Sequence, residues 1–199
     1  MASRLHRMIA RARACEVCAA HLPLGPRPVL HLAPSIRLLL ISQAPGTHVH
    51  HSGLPFDDAS GVRLRAWMGL NSEQFYDFRR IGFLPTGLCY PGRLPRGGDR
   101  PPRPECAPLW QPRLLPLLPN VRLTLLIGSH AINGRLGPGP MTDRVRNFAH
   151  TLPDCFPLPH PSWRTTAWQR RHPWFDTEVL PALRGELAKV LGEGKNALA

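Results

Sequence analysis

The apolar run Cys155-Phe156-Pro157-Leu158-Pro159 breaks off at His160-Pro161-Ser162, and Trp163 and Arg164 follow. A histidine at such a break is either an ordinary loop residue or a hydrogen-bond donor at a site, able to act neutral or charged. A second exit, Ser42-Gln43-Ala44-Pro45-Gly46, closes the run IRLLLIS at 36–42. It opens a long loop, 43–61, that carries His48, His50, His51, Phe56, Asp57 and Asp58. Long loops directly after buried strands are frequently functional. The two aspartates can serve as carboxylates near water or as a cap ahead of Ser60. Cys15 and Cys18 are spaced C-x2-C, which in an intracellular chain points to metal or redox chemistry more than to disulfides. Cys89 and Cys106 follow, whereas Cys155 lies inside an apolar run and reads as core.

The elements that must position these residues alternate in type. Short, almost continuous apolar runs at 36–42, 81–84, 121–128 and 155–160 suit strands covered on both faces. Helical patterns are expected over 2–20, over 60–70 with Ser60 as cap, from about 104, from Ser129, across VRNFAHTL (145–152) and over 174–191. The segment 90–104, YPGRLPRGGDRPPRP, holds too much proline and glycine for regular structure. Strands alternating with helices predict a three-layer α/β/α sandwich around a central, mainly parallel four-stranded sheet. Ligands in that architecture bind at the carboxyl ends of the strands. The exits SQAPG, GSHA and HPSWR are the corresponding places, and the first and last are richest in chemistry. One domain over 1–199 is expected, with an N-terminal helix over 1–20 carrying the C-x2-C pair and a flexible tail at 193–199.

The net charge of +12 favours polyanionic partners, nucleic acid first. Nearly all of the basic residues are arginines, since only Lys189 and Lys195 are lysines, and guanidinium pairs well with phosphate. No apolar stretch approaches the roughly 18 residues of a membrane span, and the arginine-rich start lacks the long apolar core of a secretory signal. A soluble, cytoplasmic monomer is the expectation. No G-x-S-x-G elbow is present, which removes support from a small-molecule α/β hydrolase.

LLLISQAPG, GLPFDDASGVRLRAWMGL and LPHPSWR, in that order and in those contexts, resemble the uracil-DNA glycosylase superfamily. The resemblance implies a hydrolase that flips a deaminated base such as uracil out of DNA and cuts its N-glycosidic bond. It implies that His160 stabilises the departing base as an oxyanion. Phe56 would stack on that base, and Ala44, Pro45 and Gly46 would line and shape the pocket. Pro161 and Ser162 would meet a phosphate, and Trp163 and Arg164 would fill the gap left in the duplex. Cys15, Cys18, Cys89 and Cys106 are similar to the four ligands of the iron–sulfur branch. They would hold a [4Fe–4S] cluster or, equally well as thiolates, zinc.

The chain departs from that pattern at the first motif. Ala44 stands where several branches have Asp or Asn, Gln43 where iron–sulfur enzymes often have Glu, and Ser42 where they have Gly. The stretch FLPTGLC lacks the asparagine that several branches use to read a pyrimidine edge. Gln43 orients water without taking its proton, so Asp57 is the expected substitute carboxylate. These departures leave a second reading open, a non-catalytic DNA-binding member of the same fold.

Overall fold

The structure, a computed structural model, describes residues 3–192. Four strands, β1 (Leu38–Ile41), β2 (Ile81–Phe83), β3 (Leu123–Ile127) and β4 (Cys155–Leu158), form one sheet in the order β2-β1-β3-β4. Every pairing is parallel, with Leu38 opposite both Ile81 and Leu123, and Thr124 opposite Cys155. All residues of the four strands are buried, which is why their sequences run apolar without alternation. Thr124, the polar member, sits at the start of β3.

Helices cover both faces of the sheet and give the three-layer sandwich its outer layers. They are α1 (Arg4–Arg13), α2 (Thr47–Ser52), α3 (Ala59–Met68), α4 (Ser72–Phe75), α5 (Cys106–Leu114), α6 (Ser129–Leu136), α7 (Met141–Arg146), α8 (Thr165–Arg171) and α9 (Leu180–Leu191). An extended segment lies beside β2: His31 and Phe83 exchange both backbone hydrogen bonds, at 2.9 and 2.7 Å, and the Val29 N–H donates to Leu88.

Several boundaries differ from the expectation, each for a local reason. The first helix ends at Arg13, so the C-x2-C pair lies in the turn after it, before a short 3-10 segment at Ala19–His21. The 43–61 loop contains α2, which has Gly46 at its cap position and stops where Gly53 turns left-handed at φ 74°. Asp58, not Ser60, caps α3: its carboxylate accepts from the Gly61 N–H at 2.8 Å. Gly128, not Ser129, occupies the cap position of α6. The helical stretch expected at 145–152 is α7 followed by a 3-10 turn at Phe148–Thr151. The C-terminal helix opens with a π turn, Phe175–Val179, in which the Leu180 N–H reaches back to Phe175. Pro181, with no N–H to give, stands at the start of the regular ladder. The tail expected at 193–199 lies outside the described residues.

Three helices that the patterns did not predict, α2, α4 and α8, are short and lack a long apolar stripe. Asn71 and Gln74 form a reciprocal capping box that holds α4. No helix among the described residues is long and apolar enough to cross a membrane.

Candidate active site

The exits of the parallel strands all leave at one edge of the sheet, and there they are fastened to one another. After β1, the Ser42 carbonyl accepts from both the N–H and the Oγ1 of Thr86, each at 2.8 Å, and the Gln43 carbonyl accepts from the Gly87 N–H at 2.8 Å. The FLPTGLC stretch, which lacks the base-reading asparagine, therefore serves as the clasp of the first motif. After β4, the His160 carbonyl accepts from the Thr165 hydroxyl. The Arg63 guanidinium on α3 donates to the Ser162 carbonyl and the Thr166 hydroxyl, both at 2.9 Å. Helices α3 and α8 thus hold the His-Pro-Ser turn between them.

Between these exits lies a concave pocket with about 460 Å³ of space unfilled by protein atoms, its mouth included. Ala44, Pro45, Gly46, Phe56, Asp58 and His160 line it. Four of these are contributed by the two motifs, so residues more than one hundred positions apart in sequence share one wall. The histidine, the ring and the first-motif loop meet there.

Phe56 owes its position to backbone geometry. It is the one non-glycine residue with positive φ among those described, at 56°, a conformation that costs an L-residue energy and persists only when its surroundings impose it. Gly61 imposes it. A Cβ at Gly61 would lie 1.7 Å from the Phe56 carbonyl oxygen, so the first turn of α3 presses directly on that peptide. The Tyr76 hydroxyl donates to the neighbouring Pro55 carbonyl at 3.1 Å. The ring, partly buried, meets Phe75 edge-on at 6.1 Å and Phe83 at 6.3 Å, leaving its remaining surface for the pocket.

Two expected site residues stand elsewhere. Asp57 does not line the pocket; its carboxylate lies 3.7 Å from His48 on the exposed side of α2. Asp58 faces the pocket instead. The alternation of side chains across an N-cap turned the second aspartate, not the first, inward. The D-x-x-G spacing of Asp58 and Gly61 carries the signal for that cap. Gln43 also points away: its amide Nε2 donates to the Arg100 carbonyl at 3.4 Å, tying the first motif to the 90–104 segment. Trp163 is 76% exposed and belongs to no core, with the Arg164 guanidinium 5.4 Å from its ring centre. Arg164 lies so close over Gly98 that a Cβ there would come within 2.5 Å of its terminal nitrogen. His50 is buried within α2 and His51 is exposed; neither lines the pocket.

Burial pulls the pKa of His160 below its ordinary 6.5, and the nearby Asp58 carboxylate works weakly against that shift. The imidazole is therefore neutral at physiological pH and offers an N–H rather than a full charge. Asp58 is the carboxylate whose charge reaches His160.

The four other thiols assemble at a separate place. Cys15, Cys18, Cys89 and Cys106 line one cavity, walled by Leu22, Leu88 and Trp110. The Leu88 N–H donates to the Cys106 sulfur at 3.2 Å. Burial pushes the Cys106 thiol up to about 12 and the Cys89 thiol up to about 11. Among the described residues, no three His, Cys, Asp or Glu side chains converge closely enough to ligate a single ion. Cys155 is buried in β4, as its run predicts.

Two measurements test this geometry. Gly61→Ala forces the Phe56 peptide to move; overpacking of this kind costs about 1–3 kcal/mol, which for a chain of this size lowers Tm by about 2–4 °C per kcal/mol. An unchanged Tm by calorimetry contradicts the contact. The second concerns pH. His31, His50 and His160 all have lowered pKa values, each first by burial, with Arg13 beside His31, His51 and Arg27 beside His50, and Asp58 opposing at His160. The unfolded chain binds more protons than the folded one between 6.5 and the folded values. Stability is thus full above pH 6.5 and falls as pH drops through that window. Denaturant midpoints at pH 7.5 and 5.5 should show a lower midpoint at 5.5, and His160→Gln should shrink the difference.

With strand order, exits and pocket in place, the comparison with known families is direct. The family model for the Uracil DNA glycosylase superfamily matches residues 31–184, which span β1 to β4, both motifs and the start of α9. The chain belongs to the uracil-DNA glycosylase superfamily.

Proposed function

We propose that this protein is a DNA glycosylase that hydrolyses the N-glycosidic bond of uracil or a related deaminated base. The observation that carries this reading is the meeting of His160, Phe56, Asp58 and the first-motif loop in one pocket at the carboxyl edge of the sheet. A nucleotide turned out of its helix would stack its base on Phe56. The neutral His160 would donate an N–H to a ring carbonyl oxygen as the bond to the sugar breaks and the base gains negative charge. Such preorganised donors contribute roughly 3 to 4 kcal/mol. Asp58, one oxygen held by the Gly61 N–H, has acceptor capacity left for water approaching the cationic sugar. It takes the part that Gln43 and Ala44 lack. The exposed Trp163, beside the pocket in sequence, suits the wedge that replaces the extruded base.

A second reading has one observation in its favour: Ala44 offers no polar group and Gln43 is engaged with Arg100. A member that binds DNA without cutting would look the same at that loop. Base release separates the two. On uracil-containing single-stranded DNA, wild-type protein should release free uracil. His160→Ala should slow that release about 10²- to 10³-fold, and Asp58→Asn should lower kcat with little change in KM. DNA binding by wild type with no release of uracil, hypoxanthine or xanthine would exclude the enzyme.

For the thiol cavity we propose a [4Fe–4S] cluster held by Cys15, Cys18, Cys89 and Cys106. What supports it is four thiols around one cavity, together with an N–H aimed at the Cys106 sulfur. A cluster there would supply a structural cross-link between the turn after α1, the β2 exit and the start of α5. Anaerobically prepared protein should absorb broadly near roughly 400 nm, with about four irons per chain. A colourless, zinc-loaded protein would overturn the assignment.

A further inference from the structure

Buried polar atoms in a folded chain almost always have a hydrogen-bond partner, and an exception calls for a cause. Among the described residues, three buried side-chain nitrogens have none: His50 Nδ1, Arg103 Nε and Trp110 Nε1. His50 lies in α2, away from the thiols. The other two belong to side chains that line the cavity of Cys15, Cys18, Cys89 and Cys106. Both nitrogens are N–H donors, and the remaining polar side chains of that lining are the four cysteines.

Helix α5 sets the indole there. Cys106 opens the helix and Trp110 stands four residues on, so the two share one helix face. The helix packs on α1, whose last turn leads into Cys15 and Cys18. Trp110 is 7% exposed and belongs to the core. A tryptophan so deep ordinarily finds an acceptor for its N–H, and leaving that N–H bare is costly. Here neither a protein acceptor nor the surface reaches Nε1. Arg103 differs, since its side chain is 31% exposed and its Nη2 is already spent on Glu105 at 2.7 Å. The Leu88 N–H, donating to the Cys106 sulfur at 3.2 Å, shows the same kind of contact completed.

We propose that Trp110 is a positioning residue for the iron–sulfur cluster, its indole N–H donating to a sulfur atom of the group that the four cysteines hold. The inference rests on the cluster reading of this cavity. Thiolates and bridging sulfides accept hydrogen bonds and carry negative charge, so a donor beside them is worth more than one beside a neutral thiol. The rest of the wall, Leu22, Pro28 and Leu88, offers no polar side chain. In that setting one well-placed donor both orients the charged group and lowers the cost of burying it. A cavity that needed only apolar filling would be served as well by phenylalanine at position 110.

The test is resonance Raman spectroscopy of the full chain, reconstituted anaerobically with iron and sulfide in ordinary and in heavy water. Deuterium on a donor that binds a cluster sulfur shifts the Fe–S stretching bands. Trp110→Phe keeps an aromatic ring and removes the N–H; it should lose part of the wild-type deuterium shift. It should also hold iron about 10- to 100-fold more weakly against a chelator. Trp168→Phe removes an indole whose N–H is already held by Thr142 at 2.9 Å, and it should match wild type in both respects. Because Trp110→Phe leaves space in the core and can fail to fold, unmutated protein with isotopically labelled indole nitrogens supplies a second measurement. Of its five indole N–H resonances, that of Trp110 should be the one broadened by iron. An equal deuterium shift in wild type and Trp110→Phe, or five indole signals that relax alike in coloured, iron-loaded protein, would overturn the inference and leave the cluster reading standing. Colourless, iron-free wild type would overturn both.

Discussion

A parallel sheet buried on both faces cannot end freely, because each strand delivers backbone carbonyls and N–H groups into a crowded edge where they must find partners. In this chain the partners are the neighbouring exits. Ser42 is held by Thr86 and Gln43 by Gly87, which fastens the exit of β1 to that of β2, and the Gly128 N–H is held by Leu158, which fastens the exit of β3 to the end of β4. The sheet order, with β3 alone between β1 and β4, brings His160 to the first motif across more than a hundred residues of sequence. The pocket depends on that order, and Phe56 joins it from the turn ahead of α3.

The same constraint explains how a first motif without a carboxylate can border a pocket that still holds one. Substituting Ala at 44 and Gln at 43 removes carboxylate from the loop, but not from the pocket, since α3 brings Asp58 in from the adjoining turn. Its two tasks are compatible because a carboxylate has more lone pairs than the single cap bond uses. Gln43, released from the pocket, fastens the arginine-rich segment instead.

Much of this was legible in the sequence, for physical reasons that are easy to name. Doubly buried strands leave uninterrupted apolar runs, so β1, β3 and β4 and the residues leaving them are found within two or three positions. Order and spacing of the motifs predict that His160, Phe56 and the first-motif loop converge. What could not be read is orientation. Whether Asp57 or Asp58 faces inward depends on the φ and ψ of a cap, and the positive φ of Phe56 sets its carbonyl against Gly61, five residues on. The helices α4 and α8 are fixed by capping and tertiary contact, not by periodicity. The exposure of Trp163 likewise depends on α8, which starts two residues later. A shared site for four cysteines was implied by the resemblance alone, and only the fold shows that they line one cavity.

The central claim is that the pocket breaks a glycosidic bond rather than merely receiving a base. Mass spectrometry of a single-uracil oligonucleotide incubated with a stoichiometric amount of protein tests it most directly, since one turnover suffices. The account predicts free uracil and an oligonucleotide whose mass has fallen to that of the abasic product. An oligonucleotide bound by the protein yet recovered at its full mass would contradict it.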